Sequence, residues 1–319
     1  MKALERIDKL VGRINTHPEY SIEVAMQKRD TLRKEAQRHS AEIEFEMVMN
    51  GNGIKKGGIV EMGILGRLDQ AWNYLAEHGI DVHSLGRLGN IIDSDRNPNS
   101  VFRRGDEISI GRFDAPKAAE IPQMIEGLVD YLKMSNLHPV VRAAEAHLSM
   151  VQIHPYADGN GRSARILQNL CLEQRGYPSA VISSNERGLY FGLVDASLEK
   201  RYNRDTSPLS PGHEDKLFYE FIASKVLTSV QTLDEHLAER RAYEITLGRG
   251  DINHGLLYAI DKRVKGVSKI VGKGIHVRII KGKRKLIVIG DIAQDELAKR
   301  VDHAVAPHNI KYKIKVMGR

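Results

Sequence analysis

Apolar residues recur at helical spacing through most of the first 240 positions, so the chain reads as a succession of helices. Residues 1 to 39 are rich in Arg, Lys and Glu and break near His17-Pro18, and Tyr20 to Met49 can run as one long helix. Ile22, Ala25, Met26, Leu32, Ala36, Ile43 and Met47 approximate its apolar stripe. Leu65 to Glu77 is a further amphipathic helix that carries the only tryptophan, Trp72, toward a core, and Leu85 to Ile92 continues helical. Pro116 to Lys133 places Ile121, Met124, Ile125, Leu128 and Leu132 on one side. Val140 to Ile153 does the same with Val141, Ala144, Leu148 and Val151. Helices are also predicted from Arg162 through Ile166, Leu167, Leu170 and Cys171, over Glu186 to Glu199, and over Leu217 to Ala238. Glycine and polar residues mark loops at Gly51–Gly58, Asp93–Ser100 and Asn203–Gly212, and Ser179–Ser184 reads as an extended link.

The period changes twice. Phe102 to Arg112 reads as a short hairpin, with alternation around Gly105-Asp106 and then Ile108 and Ile110 on one face. Beyond Ile252 helix and strand alternate. Ile252–Val264 and Gln294–Val305 read as helices, Gly274–Ile280, Leu286–Ile289 and Ile310–Val316 as strands, and Lys281–Lys285 as a turn. The expected fold is mainly α: a helical core with a small β-hairpin, followed by a small C-terminal α+β domain. The expected boundaries are 1–60 for an N-terminal helical region, 61–240 for the core and 251–319 for the C-terminal domain.

Composition narrows the class. With 319 residues, 41% hydrophobic and 28% charged, the chain can build a packed core and reads as a folded soluble protein. Its single cysteine, Cys171, excludes a disulfide framework and reads as a core residue. The charged N-terminus lacks a signal-peptide core, and no apolar run approaches the roughly 20 residues of a membrane span. The cytoplasm is the expected compartment. The net charge is +7, yet residues 251–319 alone hold 16 Lys+Arg against 6 Asp+Glu, or +10, so the remainder carries −3. The basic C-terminal turn and the alternating Lys311, Lys313 and Lys315 could meet nucleic-acid phosphates, protect an edge strand, or form a subunit contact.

The densest chemistry lies in His154-Pro155-Tyr156-Ala157-Asp158-Gly159-Asn160-Gly161-Arg162-Ser163-Ala164-Arg165. His154 precedes proline, which pushes it out of the helical region where a buried helix stops. Asp158 offers oxygens suited to Mg2+, which borrows its other ligands from phosphate and water. Gly159 and Gly161 flank Asn160, freeing a turn whose N–H groups can converge on an anion beside the next helix N-terminus. Arg162 and Arg165 stand in the first turn of that helix, where cations oppose the dipole by roughly 0.3–1 kcal/mol each. A bound polyphosphate accounts for such placement; solvated arginines after a Gly-Asn-Gly turn are the alternative.

The same segment resembles the signature of the Fic family, H-P-F-x-(D/E)-G-N-G-R-x-x-R, and departs from it only at Tyr156, whose added hydroxyl needs a polar partner if buried. His138-Pro139, Ala146-His147 and Gly176-Tyr177-Pro178 are also similar to the family, so the resemblance covers about residues 20 to 225. It implies a Fic-like helical core and protein adenylyltransferase activity, with AMP moved from ATP to a Tyr, Thr or Ser hydroxyl of a target protein. His154 would be the base. Asp158 would hold Mg2+. Gly159, Asn160, Gly161, Arg162, Ser163, Ala164 and Arg165 would form the nucleotide site, with Tyr190 and Phe191 similar to an aromatic pair around the adenine. Ser197 or Leu198 stands where some relatives have a pocket asparagine. Ile110, Gly111, Arg112 and Phe113 would belong to a flap that docks the target by strand addition.

Ser40 and Glu44 fit the family's inhibitory-helix pattern (S/T)-x-x-x-E-(G/N), although Phe45 departs from it. By itself Glu44 reads as a solvated helix-surface carboxylate. The resemblance implies that it pairs bidentately with Arg165, occupying what a γ-phosphate would otherwise take. Some relatives with this glutamate also remove AMP, and some family members transfer other phosphate-containing groups. The reading from a different class is a nucleotide-sensing regulator whose basic residues 251–319 bind nucleic acid.

Overall fold

The computed structural model describes residues 2–15, 19–52, 59–98, 101–202, 215–238, 241–248, 252, 254–265, 275–280, 284–290 and 292–317. The loops expected at Asn203–Gly212 and over most of Gly51–Gly58, the break at His17-Pro18, and most of the Lys281–Lys285 turn lie outside these residues. So do the side chains of Ile22, Phe45 and Met47. Two compact units divide the chain, one of residues 1–11 and 29–231, the other of 12–28 and 232–319.

Eleven α-helices run through the described residues. The first four are α1 Lys2–Asn15, α2 Glu19–Asn52, α3 Ile59–His78 and α4 Val82–Ile92. They are followed by α5 Ile121–Met134, α6 Pro139–Ile153, α7 Asn160–Glu173, α8 Arg187–Tyr202 and α9 Lys216–Ala238. The last two are α10 His254–Lys265 and α11 Gln294–Val305. The mainly α expectation holds. Along α2, Ala25, Leu32, Ala36 and Ile43 are buried at spacings of seven and four, but Met26 is 64% exposed. One residue is about 100° of helical turn, which takes Met26 off that stripe.

The first unit is built around α6, which is buried on nearly every side. Pro139 opens it, and the His138 ring accepts from the Val140 N–H as its cap. Most of its buried polar side chains find partners, Arg142 Nη1 and His147 Nδ1 being exceptions: Arg142 donates through Nε and Nη2 to the Leu132 carbonyl. Glu145 accepts from Arg201 at 2.7 Å and from the Tyr219 hydroxyl at 2.6 Å, while Arg201 also reaches Asp215 at 2.9 Å. Gly79, with φ +83, lets α3 end, and Asp81 caps α4 by accepting from the Ser84 N–H. Trp72 is buried as expected, with the Arg33 guanidinium over its ring.

The hairpin exists, but its turn does not fall at Gly105-Asp106. Strand β1 Ser109–Ile110 pairs with β2 Phe113–Asp114 around Gly111-Arg112, where Gly111 adopts φ +61. Gly105 and Asp106 are engaged elsewhere: the Gly105 carbonyl accepts from Arg103, and Asp106 accepts from the Ala118 N–H, starting a 3-10 turn before α5. The helix expected from Pro116 therefore begins at Ile121.

In the second unit, β3 Arg241–Leu247 is a strand absent from the sequence reading. With β4 His276–Ile280, β5 Lys285–Gly290 and β6 Tyr312–Val316 it forms an antiparallel sheet of order β4-β5-β3-β6. The succession β3-α10-β4-β5-α11-β6 in that order is the split β-α-β, ferredoxin-like arrangement. Tyr243, Ile245, Leu247, Leu286 and Val288 form its core with Leu256, Ile260, Leu297 and Val301 from the helices. Strand β6 lies at an edge, and the exposed Lys313 and Lys315 along it suit edge protection.

Candidate active site

The segment from His154 to Arg165 joins α6 to α7. His154 ends α6 with φ 49 and ψ 56, one of two described non-glycine residues at positive φ. Such backbone is costly for a side chain with a Cβ and persists where the surroundings enforce it. Here they do. Arg103 donates through Nε to the His154 carbonyl at 2.8 Å, and its own N–H donates to the Pro155 carbonyl at 2.8 Å. Three residues on, Asn97 uses its amide on the same loop. Oδ1 accepts from the Ala157 N–H at 2.9 Å, and Nδ2 donates to the carbonyls of Asp158, Gly89 and Asp93. Neither clamp carried a signal in the sequence: Arg103 and Asn97 lie in irregular stretches without periodicity.

The His154 imidazole faces its Nδ1 toward the Val151 carbonyl at 3.2 Å. A carbonyl only accepts, so this contact assigns the proton to Nδ1 and leaves Nε2 as the acceptor. Burial pushes the pKa down to about 4, with Arg103 acting in the same direction; the Val151 bond, Asp158 and Glu44 pull upward and lose. The helix dipole raises the pKa of a histidine at a C-terminus, and here desolvation outweighs it.

Tyr156 is fully buried, and its hydroxyl donates to the Leu85 carbonyl, the partner it requires. Its ring packs so closely on α4 that a Cβ at Gly89 would come within 2.4 Å of it. Asn160 is spent on the loop: Oδ1 accepts from the Tyr156 N–H at 3.0 Å and Nδ2 donates to the Tyr156 carbonyl at 2.8 Å. Its side chain is therefore not directed at a ligand, and only its backbone remains for one. Ser163 and Ala164 are likewise fully buried within α7. Gly159 caps α7 with φ +86, and Gly161 leaves room beside Glu44, whose Oε1 would lie 2.6 Å from a Cβ there.

The Asp158 carboxylate is 50% exposed; its Oδ1 accepts from the Gly159 N–H at 2.5 Å and from Arg162 at 3.3 Å. Among the described residues Oδ2 has no protein donor. Arg162 is buried between Asp158 and Asp93, and its Nε meets no partner there. Arg165 is held on every nitrogen. Nε donates to Ser40 Oγ at 2.8 Å, Nη2 to Glu44 Oε1 at 2.7 Å and to the Ser40 carbonyl at 3.2 Å, and Nη1 to the Tyr190 hydroxyl at 3.1 Å. Burial opposes its charge, but Tyr190 and Glu44 hold its pKa above the ordinary value. The expected contact between Glu44 and Arg165 is present, through one carboxylate oxygen instead of two, while Ser40 and Tyr190 take the other donors.

A pocket of about 620 Å³ opens beside these groups. Glu44, His154, Gly161, Phe191 and Leu198 line it together with Ile110 and Gly111 of the hairpin. Leu198, not Ser197, faces the space; Ser197 is buried and does not line it. Tyr190 contributes to the wall but is almost fully buried, its hydroxyl engaged by Arg165 and by His147 Nε2 at 2.9 Å. Phe191 is the more open ring, covered on one side by the Arg187 guanidinium. Arg187 also donates to the Ile43 carbonyl at 2.9 Å, and Ser184 to Glu42 at 2.8 Å, docking α2 beside the pocket. At the other wall, Arg112 reaches Glu199 at 2.8 Å and Asp195 at 3.2 Å, while Phe113 stacks on Tyr202. Of these docking residues only Ile43, as part of the apolar stripe, Arg112 and Phe113 were singled out in the sequence.

The stretch that joins a histidine at one helix end to a glycine-framed helix start falls within a segment that has known relatives. Residues 76–172 match the model of the Fic/DOC family. The protein adenylyltransferase Fic of Drosophila willistoni is 38% identical over 101 residues, 31% of this chain and 20% of that protein. The Drosophila virilis counterpart is 37% identical over 31% of this chain and 21% of its own length. The chain thus spans about a fifth of the length of the curated relatives it matches. In structure it is similar to a Fic domain containing signaling protein from Bacteroides thetaiotaomicron, with TM-score 0.62 and 18% identity over 74% of this chain and 98% of that one. A Fic family protein from Desulfovibrio desulfuricans G20 aligns with TM-score 0.57 and 15% identity over 100% of this chain and 98% of its own. The likeness to the Fic/DOC family thus rests on residues 76–172, and the solved structures share the fold. Among the described residues no helix is long and apolar enough to cross a membrane.

Proposed function

We propose that the protein transfers AMP from ATP to a Tyr, Thr or Ser hydroxyl of a target protein, and that Glu44 restrains it. The carrying observation is that His154, Gly161 at the start of α7 and Glu44 line one pocket, in a chain whose matched relatives are named protein adenylyltransferases.

In this reading His154 accepts the proton of the target hydroxyl at Nε2 as that oxygen bonds to the α-phosphorus. The bond from the α-phosphorus to the α,β-bridging oxygen breaks, and pyrophosphate leaves. His154 is neutral at pH 7 and so able to act; nearby phosphate charge raises its basicity when nucleotide is bound. The backbone N–H groups at the start of α7 face the phosphates. Arg162 meets the β-phosphate region and Arg165 the γ-phosphate, so preorganised charge carries much of the rate. Asp158 fits Mg2+, having a half-exposed carboxylate with an oxygen that no donor takes among the described residues. When bound, such an ion supplies charge neutralisation at the phosphates. Ile110 to Phe113 form the wall against which the target's chain adds as a strand.

Arg165 cannot serve a γ-phosphate while Glu44 and Ser40 hold it, which is the restraint. Incubating the full chain with α-labelled ATP, Mg2+ and lysate tests the proposal: labelling of protein that rises in Glu44→Gly and vanishes in Glu44→Gly/His154→Ala supports it. No labelling by Glu44→Gly ends it. Removal of AMP from the labelled target that requires Glu44 would add the reverse reaction.

A further inference from the structure

The four hydrogen bonds of the Arg165 guanidinium come from two sources. Three run to Ser40 and Glu44 on α2, and one runs to Tyr190 on α8. Any release of α2 removes the first three, and with them part of the cover over Arg165, and leaves the Tyr190 hydroxyl as its remaining acceptor among the described residues. A guanidinium only donates, so the acceptor that stays decides where it points.

Tyr190 is equipped for that role. Its ring lies under the guanidinium, with the Arg165 Cζ 5.6 Å from the ring centroid, and its hydroxyl oxygen is 3.1 Å from Nη1. Arginine only donates, so the Tyr190 oxygen accepts and its own proton must go elsewhere. The other contact is His147 Nε2 at 2.9 Å, on α6. His147 can accept there only when neutral with its proton on Nδ1. Burial, reinforced by Arg165, pushes its pKa down to about 3, which keeps it neutral. Donation then runs from Arg165 to Tyr190 to His147, leaving the His147 Nδ1–H without a partner, and Tyr190 and His147 lie on helices other than α2.

We infer that Tyr190, oriented by His147, is a positioning residue that keeps Arg165 aimed at the pocket independently of the α2 contact, so that the site is assembled before α2 moves. This inference rests on the reading of Arg165 as the γ-phosphate contact only for its effect on nucleotide affinity; its structural half stands without nucleotide. It assigns Tyr190 a different task from that of a wall for the base.

The test uses the full chain carrying Ser40→Ala and Glu44→Gly, which removes the Ser40 hydroxyl and the Glu44 carboxylate from Arg165. Adding Tyr190→Phe keeps the ring and deletes the acceptor. Two quantities are measured: rotation about the Arg165 Nε–Cζ bond by 15N NMR without nucleotide, and affinities for ATP and for AMP by calorimetry. Rotation should accelerate, ATP should bind about tenfold more weakly, and AMP should change by less than about twofold. In the same background His147→Gln, whose amide oxygen can accept from Tyr190, should retain ATP affinity, and His147→Leu should match Tyr190→Phe. Unchanged rotation overturns the inference, as does an equal loss of ATP and AMP, which would make Tyr190 a base wall. If the parent binds no nucleotide, the functional reading fails, and the rotation measurement alone decides this inference.

Discussion

Arg165 Nη2 donates to Glu44 Oε1 across 2.7 Å, although 121 residues separate the two in the chain. A hydrogen bond between charged partners is worth about 1.5–3 kcal/mol. Glu44→Gly should therefore raise adenylylation of protein by about tenfold or more. The check is incorporation of α-labelled phosphate from ATP under identical Mg2+ and lysate. An unchanged rate would show that the contact is structural and not inhibitory.

The low pKa of His154 sets the pH profile. The neutral imidazole is the working form, so kcat/KM of Glu44→Gly should stay level through neutrality and fall only as pH drops toward about 4. Removing Glu44 deletes an influence that raises the pKa, so the limb moves further toward acid. A rate that halves near the ordinary histidine value of about 6.5 would contradict the burial seen here.

The same groups tie stability to pH. His154 and His147 have folded values of about 4 and about 3, below that of an unfolded histidine, so the unfolded chain takes up their protons first. Their contribution is complete above about 6.5 and is lost as pH falls through about 4 and then about 3. Urea midpoints of the wild-type chain should decline between pH 7 and 5, and His147→Gln should flatten the decline.

Tyr156→Phe removes the hydroxyl that donates to the Leu85 carbonyl but keeps the buried ring. Activity should persist, with a loss of about 1 kcal/mol in stability, or a Tm lower by about 2–4 °C for a chain of this size. A fall in labelling beyond a few-fold would mean that the hydroxyl shapes the loop and does more than satisfy itself.

Asn97→Ala frees the Ala157 N–H and the Asp158 carbonyl from the side chain that pins them. Displacing Asp158 by about 1 Å can cost about a hundredfold in rate. The expected signature is a large fall in kcat, with a Tm decrease of only a few degrees, measured by labelling and by calorimetry. Equal rates with a lower Tm would restrict Asn97 to a structural role.

Periodicity alone located α4, α6 and α11 to within a few residues, and the strands β4, β5 and β6, because their apolar positions follow a single local rule, while α3 starts six residues before the expected Leu65. The hairpin was legible but its turn was misplaced, since Gly105-Asp106 has a turn composition that distant partners, Arg103 and Ala118, recruit for another purpose. Strand β3 was missed because it follows a long helix without a turn signal and is specified by pairing with β5 and β6.

For the site, the order of residues from His154 to Arg165 determined the imidazole at a helix end, the exposed carboxylate and the glycine-framed helix start, because these depend on near neighbours. Only the tertiary structure decided what holds them. Arg103 and Asn97 clamp the loop from another segment, His147 and Tyr190 orient Arg165 from two helices, and Asn160 turns out to bind its own loop. Apart from the Asn160 bonds, which span four residues, these contacts link residues 25 to 61 positions apart. They carry no local period, since what selects them is the cost of leaving a buried donor or acceptor unpaired.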